Sequence, residues 1–259
     1  MRNRKLIIMF SLLAALVLIV VLTSVIFSVQ HIDAYCYNYD DTELEQQVVA
    51  GTGLKKGRSI FVVNEVRVAA AVEQNTNYRV KVINIERKFP NRVVVNYVYV
   101  TPYAYMQSDG GYCSFGSDLR VTAVADAEPE NLIKVLANGK ATGGIGSTVL
   151  DGDEAHVLEE VLVAYARIGY YNDIVEVIER IDLRFENKVF IKTRAGVAIE
   201  VQGMQDILSK VRLAMTAYVQ KADWRTTGTI IVSGGKASYS QLDRYAAALE
   251  NLPTARQYS

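Results

Sequence analysis

The longest apolar run of the chain lies at its amino terminus. Residues 6–29 read LIIMFSLLAALVLIVVLTSVIFSV, without one charged residue. A helix of this length rises about 36 Å, which exceeds the ~30 Å hydrocarbon core of a bilayer. Basic residues precede the run and acidic residues follow it, so we predict a cytoplasmic tail at 1–5, a transmembrane helix at 6–29 and an exported remainder. A cleaved signal peptide is the alternative, although its apolar region normally covers only ~7–15 residues.

The next block, residues 30–100, shows strand and helix patterns in the order β-α-α-β-β. Aromatic residues make HIDAYCYNY strand-like. Asp40, Asp41 and Thr42 supply capping oxygens for one amphipathic stretch, TELEQQVVA, and Asn64 does so for a second, EVRVAAAVEQ, so both are predicted helices. Two runs rich in β-branched residues, RVKVINIER and RVVVNYVYV, flank the turn Lys88-Phe89-Pro90-Asn91 and predict a hairpin.

The second block, residues 101–235, mixes helices with a sheet. Residues 153–170 and 205–221 place apolar side chains at helical spacing, so both are predicted helices. Between them RIDLRF, KVFIK and VAIEV predict a meander, and residues 227–235 predict the last strand. The predicted fold class is α+β: a transmembrane helix, a small β-α-α-β-β domain, and a second α+β domain with a mainly antiparallel sheet. Residues 236–259 are expected to form a carboxy-terminal helix or tail.

Composition and charge narrow the function classes. The 259 residues are 22% charged with a formal net charge of zero, which excludes a disordered tail and a highly basic nucleic-acid binder. Two cysteines and two histidines are too few for a disulfide framework or a structural zinc cluster. Cys36 and Cys113 are predicted to be small buried thiols, with a disulfide between them as the alternative. We therefore expect no metal and no cofactor.

Candidates for catalysis are weak. His31 lies in the first predicted strand and His156 near the start of a helix, and neither has a nucleophile in a recognisable motif. The acids around His156 stand at a helix start, where carboxylates meet a favourable dipole. The sequence indicates no enzyme. An aromatic concentration predicts cross-strand packing, with an interface as the alternative. Its members are Tyr35, Tyr37, Tyr39, Tyr97, Tyr99, Tyr103 and Tyr105.

Residues 57–106 resemble part of a known family. They read GRSIFVVNEVRVAAAVEQNTNYRVKVINIERKFPNRVVVNYVYVTPYAYM, with a corner at Arg87-Lys88-Phe89-Pro90-Asn91. This segment resembles the POTRA domain of the bacterial cell-division family FtsQ, also called DivIB. TPYAYMQSDGGYCSFGSDLRV and ENLIKVLANGK take the places of that family's passages into its second domain. The resemblance implies a POTRA domain at 30–100 and an FtsQ-type β domain at 101–235.

The resemblance also implies a function in septum formation. In that family, the carboxy-terminal sheet edge engages small bitopic partners, FtsB or DivIC and FtsL, by strand addition, and the POTRA domain contacts other divisome proteins. A free strand edge has the unpaired backbone groups that this requires. The predicted partner-binding residues are Gly228, Thr229, Ile230, Ile231, Val232, Ser233, Lys236 and Tyr239.

The expected protein is thus a bitopic divisome scaffold in the cell membrane at the division septum. It would be single-pass and type II, with the lipid bilayer contacted through 6–29 and no nucleic acid bound. One alternative is that the last strand is paired internally while 236–259 folds back as a covering helix. A POTRA-bearing membrane assembly or secretion protein is another, although such proteins usually carry several modules in tandem. An anchored cell-wall enzyme would need a nucleophile, metal site or acid pair in a pocket.

Overall fold

The structure is a computed structural model that describes residues 2–141, 144–167, 174–220 and 227–253. Side chains are described throughout these ranges except at residues 2–10, 166–167 and 174–175. The chain divides into two compact units, residues 1–100 and 101–259. The elements of the first unit are α1 (Arg2–Ile26), β1 (His31–Cys36), α2 (Thr42–Gly51), a one-turn 3₁₀ helix (Ile60–Val62), α3 (Glu65–Asn75), β2 (Val80–Lys88) and β3 (Arg92–Tyr99).

Local capping explains where the helices of the first unit begin. The Asp41 side chain accepts hydrogen bonds from the amides of Glu43 and Leu44, and the Asn64 side chain accepts one from the amide of Arg67. Asn64 is the predicted N-cap and Asp41 is one of the three capping residues predicted for α2; their side-chain oxygens replace the carbonyl partners that a first helical turn lacks. The β-α-α-β-β order and the β2–β3 hairpin are confirmed, and the strands lie in the sheet order β1-β3-β2.

The predicted membrane anchor is contradicted. Across the part of the chain that the structure describes, no helix combines the length and the apolar character that crossing a bilayer requires. The expectations of a transmembrane helix at 6–29 and of a single-pass type II location in the cell membrane are therefore corrected.

The second unit is built on one large sheet. Its strand order is β12-β11-β10-β9-β8-β7-β4-β5-β6. Its elements are β4 (Ala104–Ser108), β5 (Gly111–Phe115), β6 (Val121–Ala125), β7 (Ile133–Leu136), α4 (Gly152–Arg167), α5 (Ile174–Val177), β8 (Ile178–Asp182), β9 (Lys188–Thr193), β10 (Ala198–Gln202), α6 (Ile207–Gln220), β11 (Thr229–Ser233), β12 (Lys236–Ser240) and α7 (Arg244–Glu250).

This sheet is mixed rather than mainly antiparallel. β8, β9 and β10 form the predicted meander, but β7 pairs parallel to both β4 and β8, and β10 pairs parallel to β11. The segment predicted as an apolar link into the second domain contains β7, which lies in the middle of the sheet. Two of these parallel pairs, β7–β8 and β10–β11, follow from the connections, since crossovers through α4 and α6 return the chain in the same direction, whereas β7 reaches β4 after β5 and β6.

The two faces of the sheet are covered differently. α4 and α6 bury one face, where Leu158, Leu162, Val211 and Met215 join the main core. On the opposite face, Phe185 and Phe190 pack with Tyr245 of α7 and with Leu252. Alternation along β9 explains this, because Phe190 lies between Val189 and Ile191, which both join the main core.

The carboxy-terminal segment contains a helix, as one of the two expectations for it has it, but an unpredicted strand precedes that helix. Residues 236–240 are a strand, β12, and the helix that follows packs near β10 on a face of the sheet. The prediction that 227–235 is the last strand is therefore wrong. The covering-helix alternative is correct that β11 is paired internally, but the element that covers β11 is a strand.

Candidate protein-binding edge

One end of the large sheet is formed by β12. This strand pairs antiparallel to β11, and no described residue pairs with its other side. A hairpin joins the two strands through Gly234 and Gly235, whose φ angles are +52° and +75°. Two central residues with positive φ are the requirement of a two-residue type I′ turn, which fits the twist of the flanking strands. The turn thus fixes the register that places Ser233 opposite Lys236.

Hydrogen-bond directions identify the open backbone groups of β12. The amide of Ala198 donates to the carbonyl of Gly228 at 3.0 Å, so every second residue from Gly228 faces β10. The intervening residues Thr229, Ile231 and Ser233 face β12. Their antiparallel partners face back toward β11, and these are Ser240, Ser238 and Lys236. Ala237 and Tyr239 therefore direct their N–H and C=O groups to the open edge.

The side chains of β12 divide between the two faces of the sheet. Ala237 and Tyr239 are half-buried and pack against the main core, on the side of α6. Lys236 and Ser238 are exposed. The Tyr239 hydroxyl donates to the carbonyl of Thr227, which ties the ring to the chain before β11. A partner strand would consequently meet an apolar row toward α6 and a polar row on the other face.

The connection after β12 leads the chain away from the edge. The Thr229 hydroxyl donates to the carbonyl of Leu242 at 2.9 Å and accepts from the amide of Arg244 at 3.0 Å. The Asp243 side chain caps α7 by accepting from two amides of its first turn. Lys192 binds the same carboxylate at 3.0 Å. These contacts hold the start of α7 against the face of the sheet, so α7 does not pair with β12.

Buried charged side chains hold α7 against the face of the sheet that carries Phe185 and Phe190. Asp182 is fully buried and accepts hydrogen bonds from the Arg184 guanidinium at 2.9 and 2.8 Å and from the Tyr245 hydroxyl at 3.0 Å. Burial raises the pKa of Tyr245 to about 12, with the Asp182 charge adding to the effect. The hydrogen bond that Arg184 donates to Asp182 raises the pKa of Arg184 despite its burial. The Asp182 side chain thus joins β8 to α7.

A second buried carboxylate, Glu200 of β10, binds Arg244 of α7 through both of its oxygens. Burial alone would raise its pKa, but hydrogen bonds from Arg244 and Gln202 and the nearby Lys188 charge outweigh burial. The net pKa of Glu200 is below its ordinary value. Because the folded pKa is the lower one, the stabilisation is complete above the unfolded pKa of about 4.3 and is lost as pH falls through the folded value.

We expect α7 to loosen in acid because Glu200 becomes protonated. Methyl resonances of the alanines in α7, followed from pH 7 to pH 3, should show increasing exchange with an undocked state. In an Arg244→Gln variant this acid response should be smaller, because the pKa of Glu200 is no longer lowered by the Arg244 charge. The Asp243–Lys192 pair is intact in both proteins, so its acid response cancels in the comparison. Equal pH profiles for the two proteins would contradict the assignment to Glu200.

The predicted partner-binding residues fall on two strands and the bend before them. Thr229 to Ser233 form β11, which has a strand on each side, so their backbone is not available to a partner. Gly228 precedes β11 at φ +90°. Only Lys236 and Tyr239 lie on the open strand. Sequence reasoning missed Ala237, although Gly-Gly followed by the alternating Lys-Ala-Ser-Tyr-Ser is a recognisable hairpin signal.

The predicted aromatic concentration is divided between packing and exposed positions. Tyr97 and Tyr105 are buried, whereas Tyr35, Tyr37 and Tyr39 are more than half exposed. Tyr97 and Tyr105 also belong to different units of the chain. The packing interpretation is therefore confirmed for Tyr97 and Tyr105, whereas the interface alternative for the exposed tyrosines stays a prediction.

The remaining candidates do not assemble into a catalytic arrangement. His31 is exposed in β1, and His156 is exposed in α4 with Glu160 at 3.6 Å. Both cysteines are free: Cys113 is buried and Cys36 is half-buried. Within the described ranges, no group of three or more histidine, cysteine or acidic residues is placed to hold a metal ion.

Comparison with known proteins adds no relative. No family model matches the chain, and no curated protein matches it. The open edge of β12 accordingly carries the function proposed below.

Proposed function

We propose that this protein is a non-catalytic scaffold that recruits its partners by strand addition to β12. The observation that carries the proposal is the pair of outward-facing backbone positions, Ala237 and Tyr239, on a strand with one open side. Main-chain hydrogen bonds of this kind provide affinity, and alternate side chains provide specificity. β12 forms one end of the sheet and β6 the other, and β12 lies beside β11, which is paired on both sides, so a partner has an ordered strand as its template.

The partner class follows from the resemblance of residues 57–106 to the FtsQ/DivIB family. On that basis the partners are FtsB/DivIC-like and FtsL-like division proteins, and the role is positioning them during septum formation. The β-α-α-β-β order of the first unit and the α+β fold of the second support this assignment. The POTRA-like unit then serves contacts to other divisome proteins.

The side chains beside β12 describe what the added strand should look like. On the α6 side, the strand continues a row that begins with Ala237 and Tyr239, so apolar residues are favoured there. Near the hairpin turn, a groove is lined by Ser209 and Leu213 of α6 together with Gly235. On the opposite face the neighbours are Lys236 and Ser238, which favour polar or acidic residues. An amphipathic strand with alternating apolar and acidic positions fits both faces.

Proline at position 237 tests the proposal. Ala237→Pro removes an outward N–H but no hydrogen bond to β11, and proline is tolerated on an edge strand when its N–H side faces solvent. We expect binding of FtsB/DivIC-like and FtsL-like proteins from the same organism to weaken by about tenfold or more, as one charge-neutral hydrogen bond and close approach are lost.

The matched control is Ala237→Val, because valine is closer to proline than to alanine in size but keeps the backbone N–H. It should bind within about threefold of the original protein. Isothermal titration with the full chain measures both variants, and hydrogen exchange in β11 verifies that the hairpin is intact. Unchanged binding by Ala237→Pro with an intact hairpin would refute strand addition at β12. A proline at position 231 would instead remove an amide of the β11–β12 ladder, so it would disrupt the hairpin itself.

A further inference from the structure

The two faces of the first unit's sheet differ in what packs against them. Val93, Val95 and Tyr97 of β3 belong to the core of the first unit, and α2 and α3 add side chains to the same core. Side chains alternate along a strand, so Val94 and Asn96 point away from that core. We call the side of the sheet that carries Val94 and Asn96 the outer face.

A row of three side chains crosses the outer face. Tyr35 of β1 and Asn84 of β2 are both register partners of Asn96 in β3. Residues that lie directly opposite on neighbouring strands share a face, so these three side chains stand side by side. The next row along the strands consists of Asp33, Val94 and Glu86. The distance across the three strands is about 10 Å, since neighbouring strands lie ~4.8 Å apart.

Asn96 is the polar centre of this row. It is 5% exposed, and its side-chain nitrogen donates to the side-chain oxygen of Asn84 at 2.6 Å and to Glu86 at 2.8 Å. A carboxylate accepts, so the Glu86 contact determines which end of the Asn96 amide is the nitrogen. The Asn96 side-chain oxygen and the Asn84 side-chain nitrogen have no hydrogen-bond partner among the described residues, and neither atom is sealed from solvent. One acceptor and one donor are thus held in place for a polar ligand.

Exposed aromatic rings stand at the β1 end of the row. Tyr35 and Tyr37 are 55% and 58% exposed, and their ring centroids lie 5.2 Å apart with the ring planes nearly perpendicular. In such a pair the edge of one ring meets the face of the other, so ring surface remains open to a ligand. The face of an aromatic ring is negative and attracts polarised C–H groups. Aromatic rings beside a few fixed polar groups are the usual composition of a ligand site.

The charges of the outer face are largely compensated. Asp33 is paired with Arg92 at 3.3 Å, and Glu86 with Lys88 at 3.5 Å. Lys81 also lies on this face and has no ion-pair partner among the described residues. A single unpaired cation is too little for a nucleic acid, which binds through several phosphate contacts. The ligand that fits is therefore polar but uncharged.

We propose that the outer face of the first unit binds a neutral, β-1,4-linked glycan. A sugar ring stacks its C–H groups on Tyr35, while hydroxyls donate to the Asn96 side-chain oxygen and accept from the Asn84 side-chain nitrogen. The face of a sheet is shallow, which suits the flat ribbon of a β-1,4-linked chain better than the coil of an α-1,4-linked one. About two sugar rings cover the three strands. This site goes beyond the proposed function and does not depend on what β12 binds.

Oligosaccharides test the chemistry of the ligand on the full chain. The probes are cellotetraose and the β-1,4-linked tetramer of N-acetylglucosamine. The comparison ligands are maltotetraose, which has α-1,4 links, and a heparin tetrasaccharide, which is highly anionic. We expect both β-1,4-linked probes to bind about fivefold more tightly or better than either comparison ligand, measured by titration calorimetry. The side-chain amide resonances of Asn84 and Asn96 should shift when a probe binds.

Matched variants locate the binding to the row. Tyr35→Ala should weaken binding of cellotetraose about tenfold, because the stacking surface is lost, whereas Tyr35→Phe keeps the ring and should bind within about twofold. Tyr39→Ala is the control: Tyr39 is also half exposed, but its ring stacks on Tyr99 outside the row, so binding should not change. Asn84→Ala should weaken binding about threefold, since one hydrogen bond is lost. Hydrogen exchange in β3 verifies that the sheet is intact.

Four results would overturn the proposal. They are the absence of binding by both β-1,4-linked probes, tighter binding of the heparin tetrasaccharide, equal effects of Tyr35→Ala and Tyr39→Ala, and a loss in Tyr35→Phe as large as that in Tyr35→Ala. The comparison of oligosaccharides uses the unaltered protein, so its result does not depend on whether a variant folds.

Discussion

Replacing Asp182 by alanine should lower the free energy of unfolding of the second unit by about 3–5 kcal/mol, the usual cost of removing one member of a buried ion pair. Asp182 is fully buried, and the Arg184 side chain is 4% exposed. The variant leaves the Arg184 guanidinium and the Tyr245 hydroxyl without the carboxylate that accepts from both. We expect α7 to detach before the rest of the sheet unfolds, because Tyr245 is its most deeply buried residue.

Tyr245→Phe provides the graded control for Asp182. It keeps the ring against Phe185 and Phe190 and removes the hydrogen bond that the hydroxyl donates to Asp182, which costs about 1 kcal/mol. Native-state hydrogen exchange of amides in β8 and β10 measures the stability of the second unit separately from that of the first. An Asp182→Ala protein with exchange rates equal to those of Tyr245→Phe would show that the carboxylate contributes no more than one neutral hydrogen bond.

Elements with a local signal could be predicted from the sequence. Asp41 and Asn64 start α2 and α3 because N-capping depends on a side chain and the next two or three amides. The meander β8-β9-β10 follows from β-branched runs joined by short turns. Such features need no information from distant parts of the chain, so periodicity and capping are enough to place them.

Features that depend on distant partners could not be predicted in the same way. β7 has four residues, Ile133–Leu136, and becomes a central strand only because β4 and β8 lie beside it. The docking of α7 rests on the pair between Glu200 and Arg244, which are 44 positions apart. Nothing in the local pattern of either residue distinguishes a buried pair from two exposed charges.

The proposed binding edge lies one strand further out than the sequence predicts. Taking 227–235 as the last strand made Thr229 to Ser233 the open edge, whereas pairing with Lys236–Ser240 moves the edge outward by one strand. The shift also exchanges which residues present their backbone, from Ile231 and its neighbours to Ala237 and Tyr239. Prediction of an edge therefore requires every short hairpin after the last strong β signal to be considered, since two glycines are enough to add a strand.

Gly228→Ala should destabilise the second unit by about 2–4 kcal/mol and abolish partner binding at β12. Gly228 has a φ of +90°, outside the region that alanine adopts readily. A Cβ at this position would overlap the carbonyl oxygen of Ser240 and lie 2.9 Å from the Tyr239 hydroxyl. Backbone cannot move aside as a flexible side chain can, so the end of β12 must separate from β11, and Tyr239 loses its place on the edge.

The contrasting variant is Gly234→Asn in the hairpin turn. Gly234 has a φ of +52°, and a Cβ there would meet no atom within 4 Å. Asparagine is favoured in type I′ turns, so the change in stability should stay within about 0.5 kcal/mol and partner binding should be retained. Hydrogen exchange in β11 and titration with the proposed FtsB/DivIC-like partner measure both variants. If Gly228→Ala binds as tightly as Gly234→Asn, the outward backbone of Tyr239 is not part of the binding edge, and Ala237 alone must account for it.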